Sequence, residues 1–434
     1  MAYSLQQFLV TIHGSVPIFP PDRFLASARN SEYSNDLVFT LVLITAKLTS
    51  FKFASRDFDL DSRIDLMLSS GSLEQDMCDD SQSLDQFRKA CLLAFYEFHQ
   101  FPGQQAWMRV GRLTRLAYWR GLDRLDGPRH FQAQSLGWGG ASEDQLEEWR
   151  LVWWFIFRLD AYVNLSSGTP YLIDERCVRT RLLGGQQLPG GHPEQQAPPQ
   201  PDLFLPSRPK DLWRLVSAVT SGPPGALLPN LHVITSTATR QVGRALQLHM
   251  MMLMPTHDIP PSLAEAEGCI TALRLSLPAN YLNPTRNAFL GESHDDHNAR
   301  LVTVLHLFVC RLLLAIIKCA SLDQGDDVWL SNWQKVLAAC QDIASMAEQW
   351  NSTFSLSVDP AVCIIVFTAL IFIDLQSKFA GVGANNPTLH ASLEHCEVIL
   401  LLLLEQFAGV WTLPRLLIRE SAPKPDATNV STKD

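Results

Sequence analysis

Charged residues are scarce in this sequence. They make up 18% of its 434 residues, whereas hydrophobic residues make up 47%; globular domains typically carry about 25% charged residues. This composition excludes a wholly disordered chain, which combines low hydrophobicity with high net charge. The 35 basic and 44 acidic residues leave a net charge of −9, which argues against a surface that coats nucleic acid through clustered Lys and Arg.

Catalytic and metal-binding motifs are also missing. The sequence has no GxSxG elbow, no GxxxxGK[ST] phosphate loop and no HExxH zinc motif. The segment 57–61 resembles half a calcium loop, but Ser62 and Leu68 stand where such a loop needs Gly and Glu. The His and Asp residues of 294–297 are better explained as the cap of a following helix. We therefore predict no catalytic residue, no bound metal and no cofactor.

The nine cysteines show neither a disulfide framework nor a zinc motif. Their number is odd, no two have CxxC spacing, and Cys310 lies inside an apolar run. This pattern indicates buried free thiols in an intracellular protein. The apolar stretches 301–320, 361–373 and 398–404 are too short for a membrane span or are interrupted or flanked by charges. We interpret them as core helices and expect no membrane contact.

Helical periodicity dominates the chain, whereas runs of alternating β-branched residues bounded by turns are nearly absent. Apolar residues recur at i, i+3, i+4 and i+7 in most of the long segments. Ser142 and the Asp359–Pro360 pair supply helix start signals. The predicted fold is all-α, a large bundle-like helical domain. The predicted helices are 35–52, 84–99, 105–120, 143–165, 233–252, 300–321, 332–351, 359–379 and 390–407.

One internal segment breaks this pattern. Residues 184–209 contain seven Pro and four Gly, a composition that cannot bury enough apolar surface to offset its ordering entropy. We predict a disordered insert or linker there and a disordered tail over 421–434. The remainder of 1–420 is expected to form one domain.

An ordered set of aromatic, glycine and charged residues occupies the region 88–173. Its members are Trp107, Gly111, Arg115, Gly121, Leu122, Arg150, Trp153, Trp154, Asp160, Gly168 and Pro170. In order and spacing, this set resembles the middle regulatory domain of fungal zinc-binuclear-cluster transcription factors. The resemblance extends more weakly over about residues 5 to 410.

The residue types in this set indicate a structural role. Large aromatics dominate core burial, so Trp107, Trp119, Trp149, Trp153 and Trp154 are predicted to lie in the core. Glycine permits close helix approach or a helix stop, which is the role expected of Gly111 and Gly121. Pro170 cannot continue a helix, so the Gly168–Pro170 turn should end the preceding one.

The resemblance implies a nuclear transcription regulator that controls a limited gene set, such as a metabolic or secondary-metabolite pathway. No cysteines have the C-x2-C-x6-C spacing of the family's six-cysteine zinc cluster. We therefore expect no zinc and no direct DNA binding. The chain would act through a protein partner, or as a homodimer or heterodimer with a DNA-binding regulator. A small-molecule effector that regulates it is a further possibility. The alternative is an enzyme or carrier for small hydrophobic molecules, which the lack of an acid/base pair or cofactor motif disfavours.

Overall fold

The computed structural model describes residues 2–51, 59–69, 83–127, 140–184, 202–222, 224–252, 261–320, 325–350, 354–383 and 387–421. Within these residues it has fifteen α-helices and no strand, which confirms the all-α prediction. The helices are α1 (Ala2–Thr11), α2 (Pro21–Arg29), α3 (Asn35–Leu48), α4 (Leu60–Ser69), α5 (Leu84–Gln100), α6 (Gln104–Arg120), α7 (Glu143–Ser167), α8 (Leu212–Thr220), α9 (Pro224–Met252), α10 (Pro261–Ser276), α11 (His294–Cys319), α12 (Asp326–Ala347), α13 (Val362–Gly383), α14 (Pro387–Ala408) and α15 (Thr412–Ser421).

All nine predicted helices are present, but three begin well before the predicted start. Helix α9 begins at Pro224 rather than at residue 233, α11 begins at His294 rather than at residue 300, and α12 begins at Asp326 rather than at residue 332. Their first turns carry Pro or polar residues, so apolar periodicity does not reveal them. Six further helices, mostly of nine or ten residues, were not predicted because so few turns give a weak periodic signal.

Side-chain caps fix where the central helices start. Ser142 Oγ accepts from the Gln145 N–H at 3.3 Å, and the Gln145 side chain accepts from the Ser142 N–H at 3.0 Å. This reciprocal capping box starts α7, and Ser83 with Gln86 forms the same box at α5. Asp359 Oδ1 accepts from the Ala361 N–H at 3.0 Å just before α13. At both predicted start signals, Ser142 and Asp359, the side chain thus accepts from a free backbone N–H group.

The core is built around α7, α9 and α11. Helix α9 packs along α11, and α11 packs along α12, while α13 packs along α14. Seventeen residues of α11 are buried, so this helix is apolar on nearly every side, as expected for a helix at the centre of a large bundle. One continuous hydrophobic cluster runs from Leu5 to Trp411.

Two helices, α11 and α14, are long and apolar enough to cross a membrane. In α11, 83% of the most apolar 18-residue window is buried inside the protein, which is typical of a core helix. In α14 only 28% of that window is buried. Helix α14 therefore presents an apolar face outward.

The predicted insert lies largely outside the described residues, which exclude 185–201. Only residue 184 and residues 202–209 of it lie within the described residues, so disorder over 184–209 stays a prediction. The Leu203 carbonyl accepts from the Leu182 N–H at 2.8 Å, and Leu205 is buried. These two leucines sit between prolines and anchor the returning chain to the core. Residues 422–434 of the predicted tail also lie outside the described residues.

Trp153 gives a direct test of this core. Its indole is fully buried and packs edge-to-face on Tyr118, with ring centroids 5.9 Å apart. We expect Trp153→Ala to lower the free energy of unfolding by about 3–5 kcal/mol, because a large cavity replaces the indole. Trp119→Ala is the matched control, since Trp119 is 76% exposed, and should change it by less than about 0.5 kcal/mol. Urea denaturation measures both, and equal effects would contradict the packing.

Candidate functional site

We call the region 88–173 the signature region, and a buried ion pair joins it to α9. Arg240 of α9 donates from Nη1 to Asp160 Oδ2 of α7 at 2.8 Å, and both side chains are completely buried. The Asp160 carboxylate also accepts from the Asn164 amide at 2.7 Å and from the Leu172 and Ile173 N–H groups at 3.2 Å. Each charge is therefore compensated, as burial of an ion requires.

The guanidinium of Arg240 joins two aromatic rings to the backbone that follows α7. It lies 4.5 Å from the centroid of the Phe157 ring and 4.6 Å from that of Tyr171, within the range of cation–π attraction. Its Nη2 donates to the Ile173 carbonyl. One side chain of α9 thus holds both α7 and the segment 171–173 in place.

Gly243 allows Tyr171 to approach α9. A Cβ atom at position 243 would lie 2.1 Å from the Tyr171 hydroxyl oxygen, so a larger residue there would displace the ring. Arg244, one residue further, forms an ion pair with the buried Glu175 and donates to the Ile173 carbonyl at 3.1 Å. The segment 171–175 is therefore fixed to α9 at several points.

The Gly168–Pro170 turn ends α7, as predicted. Gly168 adopts the left-handed conformation, with φ of 64°, which glycine adopts without steric cost. The Trp107 indole N–H of α6 points to Asn164 Oδ1 at 3.3 Å and to Thr169 Oγ1 at 3.1 Å. Trp107 thus secures the turn through its polar edge.

Gly121 and Leu122 end α6. Gly121 has φ of 80° and caps the helix in the left-handed conformation, which confirms its predicted role as a helix stop. Leu122 is fully buried, and its carbonyl accepts from the Thr180 hydroxyl.

A Cβ atom on Gly111 would lie 3.5 Å from the Leu172 side chain, an ordinary van der Waals contact. Gly111 therefore faces a loop rather than a closely packed helix.

Arg150 is the centre of a second ionic cluster. Its buried guanidinium donates to Asp126 Oδ2 at 3.0 Å, to Glu143 at 2.6 Å and to Glu147 at 2.8 Å. The Arg181 backbone N–H donates to Asp126 at 2.9 Å. Burial raises the pKa of Asp126, but hydrogen bonds from Arg150 and Arg181 outweigh it and hold that pKa below its ordinary value.

Two neutral imidazoles occupy the interior between α7, α9 and α11. His306 Nε2 lies 2.6 Å from the Tyr162 hydroxyl, and its Nδ1 lies 3.2 Å from the Thr239 hydroxyl. Burial lowers the pKa of His306 to about 3 and also lowers that of His232, whose ring lies 5.1 Å away. Both rings are thus uncharged at neutral pH and enclosed by the core.

A third charged contact joins the C-terminal helices to the signature region. His99 Nε2 of α5 lies 3.2 Å from Asp359 Oδ1 ahead of α13, and Arg158 Nε of α7 lies 3.6 Å from Asp359 Oδ2. Nearby, the Trp411 indole N–H donates to the Ser355 carbonyl at 2.8 Å. Residues 354–411 are therefore part of the same packed body as the signature region.

The signature residues fall into two groups in the structure. Trp149, Trp153 and Trp154 are buried, as predicted. The prediction of a core position is wrong for Trp107 and Trp119, which are 36% and 76% exposed, because both project from the outer side of α6. Arg115 is also exposed on this helix.

Sequence reasoning missed Arg240, the residue on which the Asp160 site depends. The available signal was the position of Arg240 directly after the segment 234–239, which holds only hydroxyl-bearing and apolar residues. Nothing in that pattern identifies a partner 80 positions earlier in the chain.

The described residues contain no group of three His, Cys, Asp or Glu side chains that could hold a metal. Ser293 Oγ accepts from the Asp296 N–H at 3.0 Å, so Ser293 caps α11 and the acidic segment 294–297 forms its first turn instead of preceding the helix. Eight described cysteines are free thiols. Burial raises the pKa of Cys310 and Cys340 to about 12, which disfavours the thiolate form that binds metals.

The charged side chains of the signature region thus form ion pairs that join helices within a large helical body. Residues 5–206 match the family described as the fungal specific transcription factor domain. This match confirms the resemblance to the middle regulatory domain of fungal transcription factors.

Several fungal regulators have similar sequences. The chain is 30% identical over 90 residues to the transcription factor tazR of Aspergillus terreus, which covers 21% of this chain and 13% of that protein. It is 25% identical over 189 residues to the pigment biosynthesis transcriptional activator pigB of Monascus ruber, covering 41% and 32%. It is 27% identical over 180 residues to the ascochitine biosynthesis cluster transcriptional regulator of Didymella fabae, covering 41% and 30%.

These alignments are partial. The chain spans about a third, or less, of the length of the curated relatives it matches. No solved structure matches the chain.

We expect Arg240→Met to lower the free energy of unfolding by about 3–5 kcal/mol, because it leaves the Asp160 carboxylate buried without its counter-charge. Adding Asp160→Asn should recover part of this loss, so the double variant should lose less than the sum of the single ones. Arg176→Met is the matched control, since Arg176 pairs with Asp174 at the exposed surface, and should change little. Chemical denaturation of the four variants measures this coupling, and simple additivity would contradict it.

Stability should also fall in mild acid. The unfolded chain protonates His306 below about pH 6.5, whereas the folded chain resists protonation down to about pH 3. Between these values the unfolded state binds more protons, so the free energy of unfolding falls by about 1.4 kcal/mol per pH unit for each such group. We expect His306→Gln to make this dependence shallower and Tyr162→Phe, which retains the imidazole, to preserve it. Identical slopes in all three proteins would contradict the assignment.

Proposed function

We propose that the chain is the regulatory part of a transcription regulator that controls a limited gene set in a secondary-metabolite pathway. The observation that carries this proposal is the match of residues 5–206 to the fungal specific transcription factor domain. The names of the pigment and ascochitine regulators support the pathway class. The regulator would reside in the nucleus.

The functional unit extends beyond the family match. Arg240, Asp359 and Trp411 all follow residue 206. Arg240 pairs with Asp160, Asp359 contacts His99, and Trp411 packs against Phe95. A regulatory surface of this body would therefore depend on both halves of the chain. We also propose that it has no enzymatic activity, a view supported by the signature's buried charges, which neutralise each other instead of facing a substrate.

DNA contact requires something besides these 434 residues. They contain no six-cysteine zinc motif and carry a net charge of −9, which disfavours binding to phosphates. We propose that a DNA-bound second polypeptide, or a zinc-cluster segment outside these residues, supplies the DNA reader. The regulatory body would then act through protein contacts.

Deletion of the gene and measurement of all transcripts test this proposal. We expect a limited set of transcripts to change, and reintroduction of the wild-type gene or of Arg176→Met to restore them. Arg240→Met should fail to restore them because loss of the counter-charge destabilises the body and lowers the amount of folded protein. A tagged wild-type chain should accumulate in the nucleus. An unchanged transcript profile together with a cytosolic chain would overturn the proposal.

A further inference from the structure

Helix α14 carries an exposed stripe with a regular spacing. Its buried face is formed by Leu393, Cys396, Leu400, Leu403, Leu404 and Phe407. Six exposed residues lie on the opposite side at alternating intervals of four and three, the spacing of a helix seam. Five belong to α14, namely Ala391, His395, Val398, Leu402 and Glu405, and the sixth, Gly409, is the turn residue that follows the helix.

The apolar centre of this stripe is in contact with water. Val398 is 54% exposed and Leu402 is 51% exposed, and Ile399 and Leu401 beside them are only half-buried. An apolar helix face in contact with water typically marks an interaction site. The question is which partner fits it.

The stripe is complementary to itself in an antiparallel arrangement. When two copies of α14 pair through their stripes with the two-fold axis midway between Val398 and Leu402, Val398 of one copy faces Leu402 of the other. His395 then faces Glu405, so an imidazole that can donate a hydrogen bond lies opposite a carboxylate that accepts one. Ala391 faces Gly409, and these small residues permit close approach at both ends.

Each of these contacts occurs twice, as a two-fold symmetric interface requires. The apolar pair lies at the centre and the polar pair flanks it, which is the usual anatomy of an interface. Glu348 of the same chain lies 3.7 Å from His395, and both are exposed, so this weak contact leaves His395 accessible. From this register we propose that the exposed face of α14 binds a second copy of this chain as an antiparallel helix pair.

Sedimentation velocity of the full chain at several concentrations tests this proposal. We expect a reversible dimer, and we expect Leu402→Glu to raise its dissociation constant roughly a hundredfold, because each dimer then buries two unpaired carboxylates. Leu275→Glu is the matched control, since Leu275 is 82% exposed on α10, and should leave the dimer intact. A strictly monomeric wild type, or a dimer that Leu402→Glu leaves unchanged, would overturn the proposal.

A charge exchange tests the antiparallel register itself. His395→Glu alone places like charges opposite each other at both ends and should weaken the dimer, whereas His395→Glu combined with Glu405→Lys should restore it. Failure of the combined variant to associate, while its helicity and melting temperature match the wild type, would overturn the register.

The hydropathy of α14 also makes a lipid surface an outcome to test. Flotation of the chain with vesicles of phosphatidylcholine and phosphatidylserine should leave it unbound. Binding that Leu402→Glu abolishes would assign the face to a membrane and overturn the proposal.

Discussion

The ion pair between Asp160 and Arg240 is the constraint on which the rest of the structure depends. Asp160 accepts hydrogen bonds from the backbone that follows α7, and Arg240 places a compensating charge beside it from α9. Loss of either partner leaves the other charge in a region that water does not reach. The turn after α7, the position of Tyr171 and the packing of α9 are therefore set together.

The ion pairs of the described residues have a structural role. Asp160, Arg150 and Asp359 each join segments that are distant in the sequence, and each has partners of opposite charge. Such pairs add little net stability compared with apolar packing, but they are strongly destabilising when broken. They specify which helices meet and so fix the shape of the helical body.

Sequence reasoning predicted the long helices and most of the signature turns, because periodicity, capping residues and glycine preferences are local properties. It did not predict the short helices, for which too few turns exist, nor the exposure of Trp107 and Trp119, because an aromatic residue alone does not reveal which helix face is covered. The sequence did not identify Arg240 and Asp359 as partners of the signature region, because their contacts join residues far apart in the chain. The contacts of Leu203 and Leu205 with the core were likewise not predicted, because prolines surround them.

The most direct test of this account compares residues 1–206, the part that includes the whole family match, with the full chain. If Arg240 and the C-terminal helices complete the signature region, the shorter chain lacks the counter-charge of Asp160 and should show no cooperative thermal transition. Co-expression of residues 207–434 should restore a soluble, cooperatively melting complex. A shorter chain that melts cooperatively by itself, at the temperature of the full chain, would contradict the account.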